Sequence, residues 1–205
     1  MVRRQLAARD ITDRRVLAAM ASVPRNVFVP EHLREQAFDD CPLPIGYDQT
    51  ISQPYIVALM TQAAMITRRS RVLDVGTGSG YQTAVLAKLA AHVWSIERLE
   101  PLSRDATARL DRLGCSNVTF VIGDGARGHD DARPYDAIIV AAAAPKPPKP
   151  LLSQLAPGGR LVIPIGDRAL QDLTILERTA DGYSTTHAGP CRFVPLVSEE
   201  AFDEH

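Results

Sequence analysis

The 205-residue chain reads as an α/β fold with a doubly wound, mostly parallel sheet, preceded by a helical lid and followed by antiparallel strands. Three observations predict this. Residues 71–89, RVLDVGTGSGYQTAVLAKL, begin with a short apolar run (Val72, Leu73, Val75) and pass through glycines at alternate positions (Gly76, Gly78, Gly80). They end in apolar residues at helical spacing (Tyr81, Val85, Leu86, Leu89), which is the pattern of strand, tight loop and helix. Strand-like and helix-like stretches then alternate along the chain, as βαβ units require. Residues 137–140 are almost wholly apolar, as a central parallel strand covered on both faces should be.

Taken in order, residues 2–8 and 13–21 read as two short helices, the second capped by Thr12 and stopped near Pro24. VPRNVFVP, residues 23–30, is a proline-bounded extended stretch, and 31–37 a charged helix. Because this segment precedes the first strand of the sheet, it is expected to pack over the carboxyl edge as a lid. Residues 38–53 contain Pro42, Pro44 and Gly46 with little periodicity, so they read as a loop. Pro54 then opens a helix reaching Met65, since its missing N–H costs nothing in the first turn. Ser52 and Gln53 stay open to two readings, helix caps or substrate contacts on a long loop.

The second strand, 93–96, ends at Glu97. An acidic residue there is placed to accept hydrogen bonds from ribose hydroxyls, by analogy with nucleotide-binding folds, or else is a solvent-facing charge. A helix over 102–113 and a third strand over 118–122 follow, closed by Gly123-Asp124-Gly125. The fourth strand runs into Ala141-Ala142-Ala143-Ala144-Pro145, where small side chains either leave room for a ligand at the carboxyl end of the sheet or pack closely beneath a loop. After a proline-rich connection, 151–155 reads as a helical turn or two and 159–165 as a fifth strand. Residues 173–176 and 191–196 read as antiparallel strands, because no helix separates them. The whole, residues 1–205, is expected to be one domain, with 1–66 as the lid segment and 67–205 as the core.

Composition limits the functional classes. Lysine and arginine number 23 against 24 acids, a net charge of −1, so there is no general electrostatic case for a nucleic-acid or membrane partner. MVRRQLAARD at the amino terminus lacks an apolar h-region, and the longest apolar run, 137–144, is far short of the roughly 20 residues that span a bilayer. A soluble, cytoplasmic monomer is the expectation. Cys41, Cys115 and Cys191 form no C-x-x-C pair and read as small half-buried thiols. His32, His92, His129, His187 and His205 match no ligand spacing, so no metal is expected.

The glycine loop is a ligand cradle, and the residues around it narrow the ligand. Tyr81 stands where a dinucleotide fingerprint needs its third glycine, and no Gly-Lys-Ser/Thr follows to ground a triphosphate. Asp74 ahead of a G-x-G-x-G core resembles the first motif of methyltransferases that use S-adenosylmethionine. A carboxylate suits a cofactor that carries a sulfonium and an ammonium.

PLPIG followed by QTISQPYIVALM, with VPRNVFVP before it and VLDVGTGSGY, YDAIIVAAAAP and RFVPL after it, is similar to the protein-L-isoaspartate O-methyltransferase family. The similarity spans nearly the whole chain. It implies a Rossmann-like class I methyltransferase that esterifies the free carboxylate of L-isoaspartyl residues in damaged proteins and peptides, which starts their repair through a succinimide. By this resemblance Ser52 orients the substrate carboxylate and is the catalytic residue, while Gln49, Thr50 and Ile51 wall the cofactor from the substrate. Asp74, Gly76, Thr77, Gly78, Gly80, Glu97, Asp124 and Gly125 would complete the S-adenosylmethionine site with Gln49 to Ser52, Asp124 and Gly125 bordering the adenine. Thr50, Ser52, Ala142 and Ala143 would meet the substrate. The reaction needs no general base, because a carboxylate with a reference pKa of about 3.9 is already ionised at neutral pH. A relative that methylates native aspartate in a dedicated peptide partner would share every one of these motifs. A binding module without transfer activity is disfavoured by the complete motif set, and a nicotinamide-dependent oxidoreductase by Tyr81. Two positions depart from the family pattern: Asp48 stands at a customary glycine, and Val197 where relatives can carry a hydroxyl residue near the cofactor.

Overall fold

The computed structural model describes residues 1–203. Residues 2–6 form a single π-helical turn, with Leu6 buried. Helix α1 (Arg14–Ser22) follows, burying Val16, Ala19 and Met20 at the i, i+3, i+4 spacing of an amphipathic face. Its cap is Asp13 and not Thr12: the Asp13 carboxylate accepts from the Arg15 N–H at 2.8 Å, whereas the Thr12 N–H is given to Gln62 Oε1. Residues 25–28 and 31–36 are 3-10 turns rather than an extended stretch and an α-helix.

The stretch expected to be an open loop contains a hairpin, β1 (Leu43–Gly46) and β2 (Gln49–Ile51), joined by the two-residue turn Tyr47-Asp48. Both turn residues have positive φ, 54° and 55°, the requirement of the primed turn types that match strand twist. Helix α2 (Pro54–Ala63) begins at the proline and stops two residues before Met65.

The core follows as β3 (Arg71–Val75), α3 (Tyr81–Ala87), β4 (His92–Glu97), α4 (Glu100–Arg112), β5 (Val118–Ile122), β6 (Tyr135–Val140), α5 (Lys149–Ser153), β7 (Leu155–Gly166), β8 (Gln171–Thr179) and β9 (Gly182–Cys191). These strands make one sheet in the order β5-β4-β3-β6-β7-β8-β9. The first five are parallel and the last two antiparallel. The order reverses between β3 and β6, which places a crevice at their carboxyl ends. Alternation along β6 sends Ala137 and Ile139 into one apolar cluster and Ile138 and Val140 into the other, so the strand is covered on both faces.

One expectation shifts. The final strand ends at Cys191 instead of spanning 191–196, and its exposed middle, Ser184 to His187, is polar on an outer edge where no apolar alternation is needed. Residues 25–28 reach the carboxyl end of the sheet through the Ser52 carbonyl, which Arg25 holds. They pack against the start of α3, where Phe28 meets the Tyr81 ring edge-on at 5.4 Å. Over the glycine loop stands the hairpin, with Ile45 Cδ1 3.5 Å from where a Cβ on Gly78 would be. Cys115 and Cys191 are half-buried, whereas Cys41 is exposed in the turn ahead of the hairpin. His92 bonds Thr119 and His187 pairs with Asp172, while His205 lies outside the described residues. Among the described residues no helix is long and apolar enough to cross a membrane.

Candidate active site

The link from β3 to α3 is tied to both neighbouring strands. The N–H groups of Gly76 and Thr77 donate to the Ile96 carbonyl at 2.9 and 3.2 Å, and the Ala141 N–H donates to Val75 at 2.8 Å. Gly80 caps α3 at φ 88°, a left-handed conformation, and a Cβ there would sit 2.8 Å from Leu110 Cδ1. Only glycine fits that corner. The loop therefore arches over the sheet with its backbone fixed before any ligand arrives.

Beneath the arch lies a buried polar cluster. Asp74 is wholly enclosed, and its Oδ2 accepts from Thr83 Oγ1 at 2.6 Å and from Ser95 Oγ at 2.9 Å. Thr77 Oγ1 and Ser95 Oγ share a hydrogen bond of 2.7 Å, which joins the cluster to the loop above. Burial pushes the Asp74 carboxyl up to about 6, against the opposing pull of the two hydroxyls. Asp74 thus faces α3 and the underside of the loop, and does not line the cavity.

Glu97, at the tip of β4, does line it. Oε2 accepts from the Gly78 N–H at 2.9 Å and Oε1 from the Leu99 N–H at 3.0 Å. An ionised carboxylate offers about four acceptor positions, so it can also receive ribose hydroxyls. Asp124 is spent differently. Its Oδ1 caps the short turn after β5 by accepting from Ala126 N–H at 3.0 Å, and its Oδ2 accepts from Ser198 Oγ at 2.7 Å. Its neighbour Gly125 lines the cavity, where a Cβ would meet Val75 Cγ1 at 2.4 Å.

Across from the loop, β2 and the residue after it bring Gln49, Thr50, Ile51 and Ser52 to the same cavity. The cap position of α2 is Gln53, with no side-chain cap bond, so the Ser52 hydroxyl is not used as a helix cap. The Ser52 carbonyl is held by Arg25 Nη2 at 2.7 Å. Just beyond β6 come Ala141 and Ala142. Ala143 turns away: its N–H donates to Val194 at 2.8 Å and its carbonyl accepts from Leu196 N–H at 2.7 Å.

Together these residues enclose a cavity of about 510 Å³, within the usual range of roughly 300–1,000 Å³ for small-molecule sites. The structure thus gathers Gln49 to Ser52, Gly76, Thr77, Gly78, Glu97, Gly125 and Ala142 around one space, and leaves Asp74, Gly80, Asp124 and Ala143 outside its lining. Other residues join the wall beyond those assigned to the site from the sequence. Tyr47, Ser79, Gln82 and Leu99 flank motif residues, and residues 194–197 arrive from the far end of the chain. Asp48 is also in the wall, in a left-handed conformation that aspartate tolerates better than most residues. Val197 presents an apolar side chain there.

Comparison with known proteins gives a consistent picture. The family described as protein-L-isoaspartate(D-aspartate) O-methyltransferase matches residues 1–201. The chain is 54% identical over 204 residues to the protein-L-isoaspartate O-methyltransferase of Synechococcus sp. (strain JA-2-3B'a(2-13)), covering 96% of this chain and 84% of the relative. It is 54% identical over 199 residues to protein-L-isoaspartate O-methyltransferase 1 of Syntrophobacter fumaroxidans, covering 97% and 93%. A solved protein-L-isoaspartate O-methyltransferase superposes with a TM-score of 0.88 at 26% identity, over 98% of this chain and 67% of that one. The Plasmodium falciparum protein of this description, in complex with S-adenosyl-L-homocysteine, gives 0.82 at 27% identity over 96% of each chain.

Proposed function

Because the chain belongs to the protein-L-isoaspartate(D-aspartate) O-methyltransferase family, we infer that it transfers the methyl group of S-adenosylmethionine to the free carboxylate of L-isoaspartyl residues in proteins and peptides. The observation that carries this reading in the structure is that the glycine loop and the Ser52 segment face one cavity. The residues present suit the cofactor: a glycine-floored arch, an acceptor-rich Glu97 and a Gly125 too close to Val75 to bear a side chain. S-adenosylmethionine supplies an electrophilic methyl group on a sulfonium sulfur.

The chain's own residues have three tasks. Ser52 donates its hydroxyl to one oxygen of the substrate carboxylate, leaving the other aimed along the line of displacement. Gln49, Thr50 and Ile51 separate the two ligands and exclude water, so that a weakly nucleophilic oxygen reacts at about 3–3.5 Å. Gly76, Thr77 and Gly78 shape the floor, with Glu97 at the ribose end and Gly125 beside the adenine. Asp74, Gly80 and Asp124 serve this site at one remove. Asp74 props the loop through Thr83 and Ser95, Gly80 lets α3 begin against α4, and Asp124 fixes the turn that carries Gly125. Thr50 and Ala142 border the substrate, whose many sequence contexts call for backbone contacts. Once the ester forms, the neighbouring backbone nitrogen displaces methanol, and the succinimide opens partly to normal aspartate.

The near-neutral charge of −1 supports a protein without a nucleic-acid partner, and residues 1–66 act as the lid segment of a single cytoplasmic, monomeric unit. Labelled methyl donor offered with paired peptides, one aspartyl and one isoaspartyl at the same position, tests the reaction. The label enters only the isoaspartyl peptide, and Ser52→Ala lowers kcat by about 10- to 100-fold, the loss of one hydrogen bond to a charged group. Equal labelling of both peptides would overturn it.

A further inference from the structure

Arg25 is fully buried, with Nε bonded to the Ala37 carbonyl and Nη2 to the Ser52 carbonyl, each at 2.7 Å. Nη1 has no partner among the described residues. The guanidinium lies 4.7 Å from the centroid of the Tyr81 ring, a favourable cation–π placement. Asp40, whose field reaches it, is already engaged by Arg9 and by the Tyr55 N–H. Enclosing a cation without an adjacent carboxylate is costly, and the guanidinium remains protonated at any working pH.

Where the charge stands indicates what it is for. Ser52, whose carbonyl it grips, and Tyr81, on whose ring it rests, both line the cavity. The positive charge is therefore immediately behind two of the cavity walls, while none of its own bonds neutralises it. We propose that Arg25 is a positioning residue and countercharge for the substrate: it fixes the Ser52 backbone, and through it the hydroxyl, and its field favours an ionised carboxylate over a neutral group at that point. This rests on the role of Ser52 given above.

The test compares two peptides binding to the full-length protein saturated with S-adenosylhomocysteine, so that no turnover occurs. One peptide is isoaspartyl, and its twin carries a primary amide in place of the free carboxylate. Wild type binds the anionic peptide more tightly than the neutral one. Arg25→Gln lowers that preference by about tenfold or more and leaves S-adenosylhomocysteine affinity within threefold, while Arg25→Lys keeps most of the preference. If Arg25→Gln does not fold, Arg25→His at pH 8, where the imidazole is neutral, is read in the same way. Both peptides weakening in equal proportion would reduce Arg25 to a structural prop and overturn the proposal. So would a loss confined to S-adenosylhomocysteine, which would assign the charge to the cofactor's own carboxylate. A wild-type protein that binds neither peptide would instead count against the reading of the reaction itself.

Discussion

Asp74 belongs to the glycine motif in sequence, yet in space it supports the site from below. Its folded-state carboxyl is raised to about 6 from 3.8, chiefly by burial. A raised value means that the folded state binds the proton more tightly than the unfolded chain. The group's contribution to stability is then fully present below about pH 4 and is lost as pH rises through 6, leaving a cost of about 3 kcal/mol at neutral pH. Asp74→Asn removes this titration. Melting curves from pH 4 to 7.5 should show the variant gaining several degrees on wild type as pH rises, at the rough 2–4 °C per kcal/mol of a chain this size. Parallel curves would show that Asp74 does not carry the linkage.

Among the elements, the hairpin is where sequence and structure part most clearly. Leu43, Ile45 and Ile51 gave too short an apolar pattern to reveal two strands, and a Tyr47-Asp48 pair is a poor turn signal beside Asn-Gly. The turn forms because tertiary contacts over the glycine loop fix it, and Tyr47 is held at φ 54° against its own preference. Replacing the pair by Tyr47→Asn with Asp48→Gly should raise the melting temperature by a few degrees, from about 1–2 kcal/mol of relieved strain. Steady-state kinetics of the same variant on an isoaspartyl peptide should leave kcat/KM within threefold, and a larger loss would give these side chains a part in substrate choice. By contrast, β3, β4 and β6 stand where period and apolar content put them, because a strand buried on both faces has little freedom of composition, while β5, half-buried at the sheet edge, was legible from its β-branched run closed by Gly123. Glu97 and the three glycines were legible for a related reason, Glu97 because it stands at a strand's end and the glycines because they fill one tight link between elements, whereas spacing left Ser52 between a cap and a substrate contact and only the QTIS resemblance singled it out. Arg25 was not legible, since nothing in a local pattern distinguishes a buried arginine from an exposed one, and residues 194–196 were read as the end of a strand over 191–196 because their apolar character fits a strand and a cavity wall equally well.

At the scale of the molecule, the sheet is a rigid frame and the cavity is assembled from separate stretches of chain: residues 47–52, 75–79 with 81–82, 96–99, Gly125, and 141–142 joined by 194–197. A ligand that bridges them links their stabilities. S-adenosylhomocysteine at about 100 times its dissociation constant should add about 2.7 kcal/mol, a rise of roughly 5–10 °C in melting temperature. A chain stopped after Arg192 should keep β3 to β9, and with them its far-ultraviolet circular dichroism, but show little of that rise. Retention of the full shift would remove residues 194–197 from the site.

The two backbone hydrogen bonds between Ala143 and residues 194 and 196 also set an order in time. The seven strands pair among themselves without residues 194–197, so the frame can be complete while the last wall of the pocket is still loose, and folding and readiness to bind become separate events.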